Sequence, residues 1–131
     1  MFDFDVRYTL PVERISDLLC SALEGGSNYW YHIEQFIKPI NFNNSEEGTT
    51  EEKCFRHLDY PINEGGALMI SVPEDEDGKL YCLDLQSIRS GMKVMAKRYP
   101  RHMMDLIREN DDACTGDVFL QCCLFGEVIF G

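Results

Sequence analysis

The segment ALMISVPEDEDGKLYCLDL, residues 67–85, holds two short apolar runs on either side of an acidic turn, and its reading decides the fold class. In the first run Leu68, Ile70 and Val72 alternate with Met69 and Ser71, the period of two that puts every other side chain on one face of a strand. Residues 73–78 begin with Pro73 and end on Asp77 and Gly78, residue types that reverse the chain at low steric cost. Residues 79–85 then return as a second strand, so the segment is expected to form an antiparallel hairpin.

Downstream of the hairpin the period changes. Ile88, Met92, Met95 and Tyr99 fall on one helical stripe across 86–99, and Pro100 separates it from a short helix holding Met103, Met104, Leu106 and Ile107. Asp112 or Thr115 is placed to cap a last helix with its body at 118–125, which Gly126 ends. Upstream, Phe2, Phe4, Val6 and Tyr8 alternate with Asp3, Asp5, Arg7 and Thr9, which predicts an N-terminal strand. Pro11 precedes a helix whose apolar face is Val12, Ile15, Leu18, Leu19, Ala22 and Leu23, closed by Gly25 and Gly26. Ser27 or Asn28 is expected to cap a second short helix carrying Trp30, Ile33, Phe36 and Ile37, although the run Tyr29, Trp30, Tyr31 also suits a strand. Residues 38–66 are polar and acidic and form a long loop region.

These elements predict one α+β domain over 1–131, with a small antiparallel sheet, built from the N-terminal strand and the 67–85 hairpin, packed against several helices. At 131 residues, 44% of them hydrophobic, the chain has enough apolar material for one core and too little for two. There is no run of 18 apolar residues and no basic, apolar leader, so a cytoplasmic location with no membrane association is expected. In that compartment the cysteines are expected as thiols, with Cys20, Cys82 and Cys122 or Cys123 inside apolar patterns, and without the CxxC spacing of a metal site.

Charge is unevenly distributed. The net charge is −11, which opposes direct nucleic-acid binding, yet residues 88–108 hold Arg89, Lys93, Lys97, Arg98, Arg101 and Arg108 against the single acid Asp105. Arg89, Lys93, Lys97 and Arg101 recur every fourth residue and would share one helix face if Pro100 bends the helix little. Such a row either pairs with acidic residues of this chain or of a second copy, or binds an anionic ligand. The acidic complement is at hand in Glu46, Glu47, Glu51, Glu52, Asp59, Glu64 and the run Glu74, Asp75, Glu76, Asp77. A second candidate is Ser27, Asn28, Tyr29 and Trp30 after two glycines: backbone N–H groups there could face an anion beside stacking rings, or the glycines simply end a helix before a core tryptophan. The histidines His32, His57 and His102 show no catalytic or metal spacing, and Cys54 near His57 lacks an orienting partner. No catalytic residue, metal or cofactor is expected.

SALEGGSNYWY (21–31) and DDACTGDVFLQCCLFGEVIFG (111–131) resemble a family of small proteins encoded by tailed phages and prophages. The resemblance covers most of the chain and implies an accessory protein made in a bacterial cell, with no activity to carry over. Three functions follow as expectations: an inhibitor of a host defence protein acting through the acidic surface around 44–78, an oligomeric sponge for a small phosphorylated nucleotide held between the basic row and the Tyr29 to Tyr31 aromatics, and an enzyme of unidentified reaction. Homo-oligomers are expected from Met92, Met95, Met103 and Met104 beside Phe125 and Phe130.

Overall fold

A computed structural model describes residues 1–37 and 66–131. The fold is α+β: helices α1 (Val12–Ser21), α2 (Leu85–Arg98), α3 (Pro100–Ile107) and α4 (Ala113–Phe125) combine with a sheet of β1 (His32–Ile37), β2 (Ala67–Ser71) and β3 (Leu80–Leu83). The strands lie in the order β1-β2-β3 and both pairings are antiparallel. β2 and β3 are the expected hairpin, in a register that sets Leu68 opposite Leu83 and Ile70 opposite Tyr81.

The third strand is not the one the N-terminal alternation predicts. Residues 2–10 adopt no regular structure, and the place beside β2 is taken by β1, where a helix was expected. The register slips between Ile33 and Gln35, a bulge that inserts one residue into the strand. Ile33 and Phe36 therefore both turn toward the core although they are three apart. That spacing imitates a helical stripe. The stretch expected as a long acidic loop, 38–66, lies outside the described residues except for Gly66.

α4 is the centre of the molecule. Every residue from Thr115 through Cys123 is buried, because an element that is apolar on nearly all sides can only be stable when surrounded. α1, α2, α3 and β3 all pack against it. Leu18 and Leu19 of α1, Leu68 and Ile70 of β2, Met95 of α2, Leu106 of α3 and Phe119 and Leu120 of α4 form one core, each burial stabilising by about 1.5–3 kcal/mol. α2 comes so close to α4 that a Cβ at Gly91 would lie 2.4 Å from the Cys123 sulfur and 2.7 Å from its Cα.

Capping fixes where the helices begin. Asp84 starts α2 by accepting from the Ser87 N–H at 2.9 Å, while the Ser87 hydroxyl accepts from the Asp84 N–H at 2.9 Å. Asp112 and Thr115, alternatives in the sequence, act together in the same reciprocal box on α4. The bonds from the Thr115 backbone hold the Asp112 carboxyl below its ordinary pKa. Arg14 of α1 donates to Asp111 at 2.7 Å and to the Leu106 carbonyl, so the ends of α3 and α4 are tied to α1. No helix among the described residues is long and apolar enough to cross a membrane.

Candidate functional site

Two groups of polar residues stand out. The first forms where α1 ends. After Ser21 the helix widens into a π turn, Ala22–Gly26, which brings Gly26 so close to α4 that a Cβ there would meet the Ala113 carbonyl oxygen at 2.1 Å. Only glycine fits. This contact delivers the next residues to Asp117, whose carboxylate accepts from the Ser27 hydroxyl at 2.8 Å, the Trp30 indole N–H at 2.7 Å and the Tyr29 hydroxyl at 2.8 Å.

Asp117 is buried and, among the described residues, has no cationic partner. Charge-assisted hydrogen bonds from three neutral donors compensate its lost hydration. Burial, and after it the bond to Asp117, push the Tyr29 hydroxyl up to about 12. Trp30 is only 2% exposed and stacks on Phe130 with ring centres 5.4 Å apart. The C-terminal residues are held over it by buried Gln121, which accepts from the Ile129 and Phe130 N–H groups and donates to the Phe130 carbonyl. The Tyr31 hydroxyl donates to the Leu23 carbonyl. Ser27 and Trp30 are thus committed to the fold: the serine has no direction left for an anion and the indole no face for a base. Asn28 and Tyr29 remain exposed.

The second group is the basic row. Arg89, Lys93 and Lys97 on α2 and Arg101 on α3 are all exposed, and none of them forms an ion pair among the described residues. Their neighbour Arg98 donates to the Gly126 carbonyl at 3.1 Å. With about 1.5 Å of rise per residue, the three cations of α2 span about 12 Å. Beside them lie two apolar cavities. One, of about 380 Å³, is lined by Met92, Met103, Met104 and Ile107, with Val6 and Tyr8 across from them and Lys93 among its lining residues. The other, of about 310 Å³, lies between Leu85, Ile88 and Ile15, with Arg89 among its lining residues. Neither is lined by a residue of 27–31, so the row and the aromatic segment occupy different places in the fold.

The methionines divide accordingly. Met95 is in the core, and Phe125 and Phe130 pack around Trp30, while Met92, Met103 and Met104 stay partly exposed on the α2–α3 face. Of the acidic candidates, residues 44–65 lie outside the described residues, as do Cys54 and His57. Glu74, Glu76 and Asp77 stand exposed at the hairpin tip, where Asp75 accepts from the Asp77 N–H. Cys82, Cys114, Cys122 and Cys123 are free thiols, and burial raises the pKa of Cys122 to about 11 and that of Cys123 well above its ordinary value. Among the described residues no three His, Cys, Asp or Glu side chains converge as metal ligands would.

Sequence reasoning missed Asp117. The signal was present: it is the one charged residue in α4, and a lone acid inside an otherwise apolar helix must find donors or force the helix outward. Set against protein-family models, curated proteins and solved structures, the chain matches none of them.

Proposed function

We propose that this protein acts by binding rather than by catalysis, and that its binding face is the α2–α3 surface, which takes an acidic, partly apolar segment of a partner protein. The observation that carries the reading is the row Arg89, Lys93, Lys97 and Arg101, exposed and without ion pairs among the described residues, beside a methionine-lined cavity. Like charges at i, i+4 on a helix cost about 0.2–0.5 kcal/mol per pair, and no counter-ion among the described residues offsets that cost here. A partner of opposite charge turns the same row into an attraction that speeds encounter and fixes orientation. Methionines suit such a face because their flexible thioethers adapt to different apolar surfaces.

The resemblance to phage-encoded accessory proteins supports a host protein as the partner class. In this reading the acidic remainder of the chain keeps nucleic acid away and leaves the row as the attractive site. A small phosphorylated ligand is the second reading, favoured by Arg89 and Lys93 lining cavities of about 310 and 380 Å³, each large enough for such a molecule. It would have to bind without Ser27 and Trp30.

The test is a titration of the full chain with two probes, a synthetic peptide of alternating Glu and Phe and a nucleoside triphosphate. The proposal expects peptide binding that weakens with salt and is lost in the variant carrying Arg89→Glu, Lys93→Glu, Lys97→Glu and Arg101→Glu. Binding of the nucleotide alone would select the second reading, and binding of neither would overturn both.

A further inference from the structure

The N-terminal residues carry an unmet structural demand. Phe2, Phe4, Val6 and Tyr8 alternate with polar residues along the sequence, yet Phe2 is 96% and Phe4 82% exposed. Among the described residues, no backbone N–H or carbonyl of residues 1–9 has a backbone partner. The second half of this arm is laid along the α2–α3 face, where Val6, Tyr8 and Leu10 line the cavities, with Val6 61% and Tyr8 57% exposed. The first half is not. Between its phenylalanines it carries Asp3 and Asp5, so residues 1–5 are an acidic, apolar segment of the kind proposed for the α2–α3 face.

We infer that the arm is exchanged between two copies of this chain, residues 1–5 of each copy lying on the α2–α3 face of the other. This rests on the reading of that face as a site for acidic, apolar segments and names a second copy as its resting occupant. Charge complementarity selects that occupant: Asp3 and Asp5 meet Lys93, Lys97 and Arg101, with which neither forms an ion pair within one chain among the described residues. Phe2 and Phe4 enter the apolar cavity between Met92, Met103, Met104 and Ile107, beside the Val6 and Tyr8 of the receiving copy. An extended chain advances about 3.3 Å per residue, so the five residues beyond Val6 reach about 17 Å, enough to bridge two copies in contact at this face. Reciprocal exchange uses the same surface twice and closes as a two-fold dimer. A partner protein that takes the face must displace the arm, so dimer and partner complex exclude one another.

Sedimentation equilibrium and native mass spectrometry of the full chain across a concentration series test this. The wild type is expected to be a dimer, and Phe2→Ser with Phe4→Ser to weaken it about a hundredfold, with Trp30 emission unchanged as the sign of an intact fold. A charge-swapped pair sharpens the test. Asp3→Lys with Asp5→Lys in one chain, and Lys93→Glu, Lys97→Glu and Arg101→Glu in the other, should each dimerise poorly alone and form a heterodimer when mixed. A wild type that stays monomeric, or a dimer indifferent to all these changes, would overturn the exchange. The Phe2→Ser, Phe4→Ser chain keeps the α2–α3 face intact, so if it binds the acidic peptide while the wild type is monomeric, the exchange fails and the binding face stands.

Discussion

The turn around Asp117 and the row on α2 and α3 treat polar side chains in opposite ways. At Asp117 a buried charge is met by three donors from residues 27–30, of which Ser27 and Trp30 are buried with it and Tyr29 covers it from the surface. Along Arg89, Lys93, Lys97 and Arg101 four charges point outward and none is in an ion pair among the described residues. The first arrangement is what folding selects, since an unmatched buried polar group costs about 1–3 kcal/mol. The second adds nothing to the stability of the isolated chain. A polar cluster that satisfies itself is a poor candidate for a ligand site, however suggestive its glycines and aromatics look in sequence.

The comparison breaks most visibly if Asp117 is not the clasp. Asp117→Ala should lower stability by about 3 kcal/mol or more in a urea titration, because Ser27 and Trp30 are left buried without an acceptor. The chain has one tryptophan, so its emission reports the same event: a shift to longer wavelength is expected even below the unfolding transition. Asp117→Asn keeps an acceptor and should cost less. A row on a helix that is itself firmly held also requires the α2–α4 contact. Gly91→Ala forces a methyl against Cys123 and should cost about 1–3 kcal/mol, read as a fall in Tm.

Alkali probes the clasp from another side. The Tyr29 hydroxyl is raised in the folded state, to about 12, so its contribution is complete below the ordinary tyrosine value of about 10 and disappears as pH rises through 12. Stability measured against pH should therefore decline over that window, and Tyr29→Phe should flatten the decline. The thiols grade the interior: Cys114, exposed at the start of α4, should be alkylated first, and Cys122 and Cys123 only after unfolding, as mass spectrometry of the labelled chain would show. The smallest effect separates the two regions most sharply. Lys93→Glu turns two like-charge pairs, with Arg89 and Lys97, into opposite ones and should raise stability by a few tenths of a kcal/mol, whereas any loss of the Asp117 donors lowers it.

Much of this architecture is legible in the residues themselves. The hairpin follows from alternation around a Pro and Asp-Gly turn, α2 and α3 from their stripes and Pro100, and α4 from Asp112, Thr115 and Gly126. β1 is not, because the bulge at Glu34 spaces Ile33 and Phe36 as a helix would, so period alone misassigns it. The N-terminal alternation is real but has no partner strand among the described residues, and alternation states only that a segment can pair. For the site, the row is visible as charge every fourth residue. The fate of Ser27 and Trp30 is not, since it depends on an acid 87 positions further on from Trp30 that only packing brings near.

The central claim is that the α2–α3 row binds and the Asp117 turn only holds the fold. Its most direct test is the affinity of the acidic, apolar peptide for the wild type and for the four-fold reversal of Arg89, Lys93, Lys97 and Arg101, with Trp30 emission followed in the same cuvette. Loss of binding in the variant, with the tryptophan signal unchanged, is the predicted result. Binding that survives the reversal would place the site elsewhere and contradict the account.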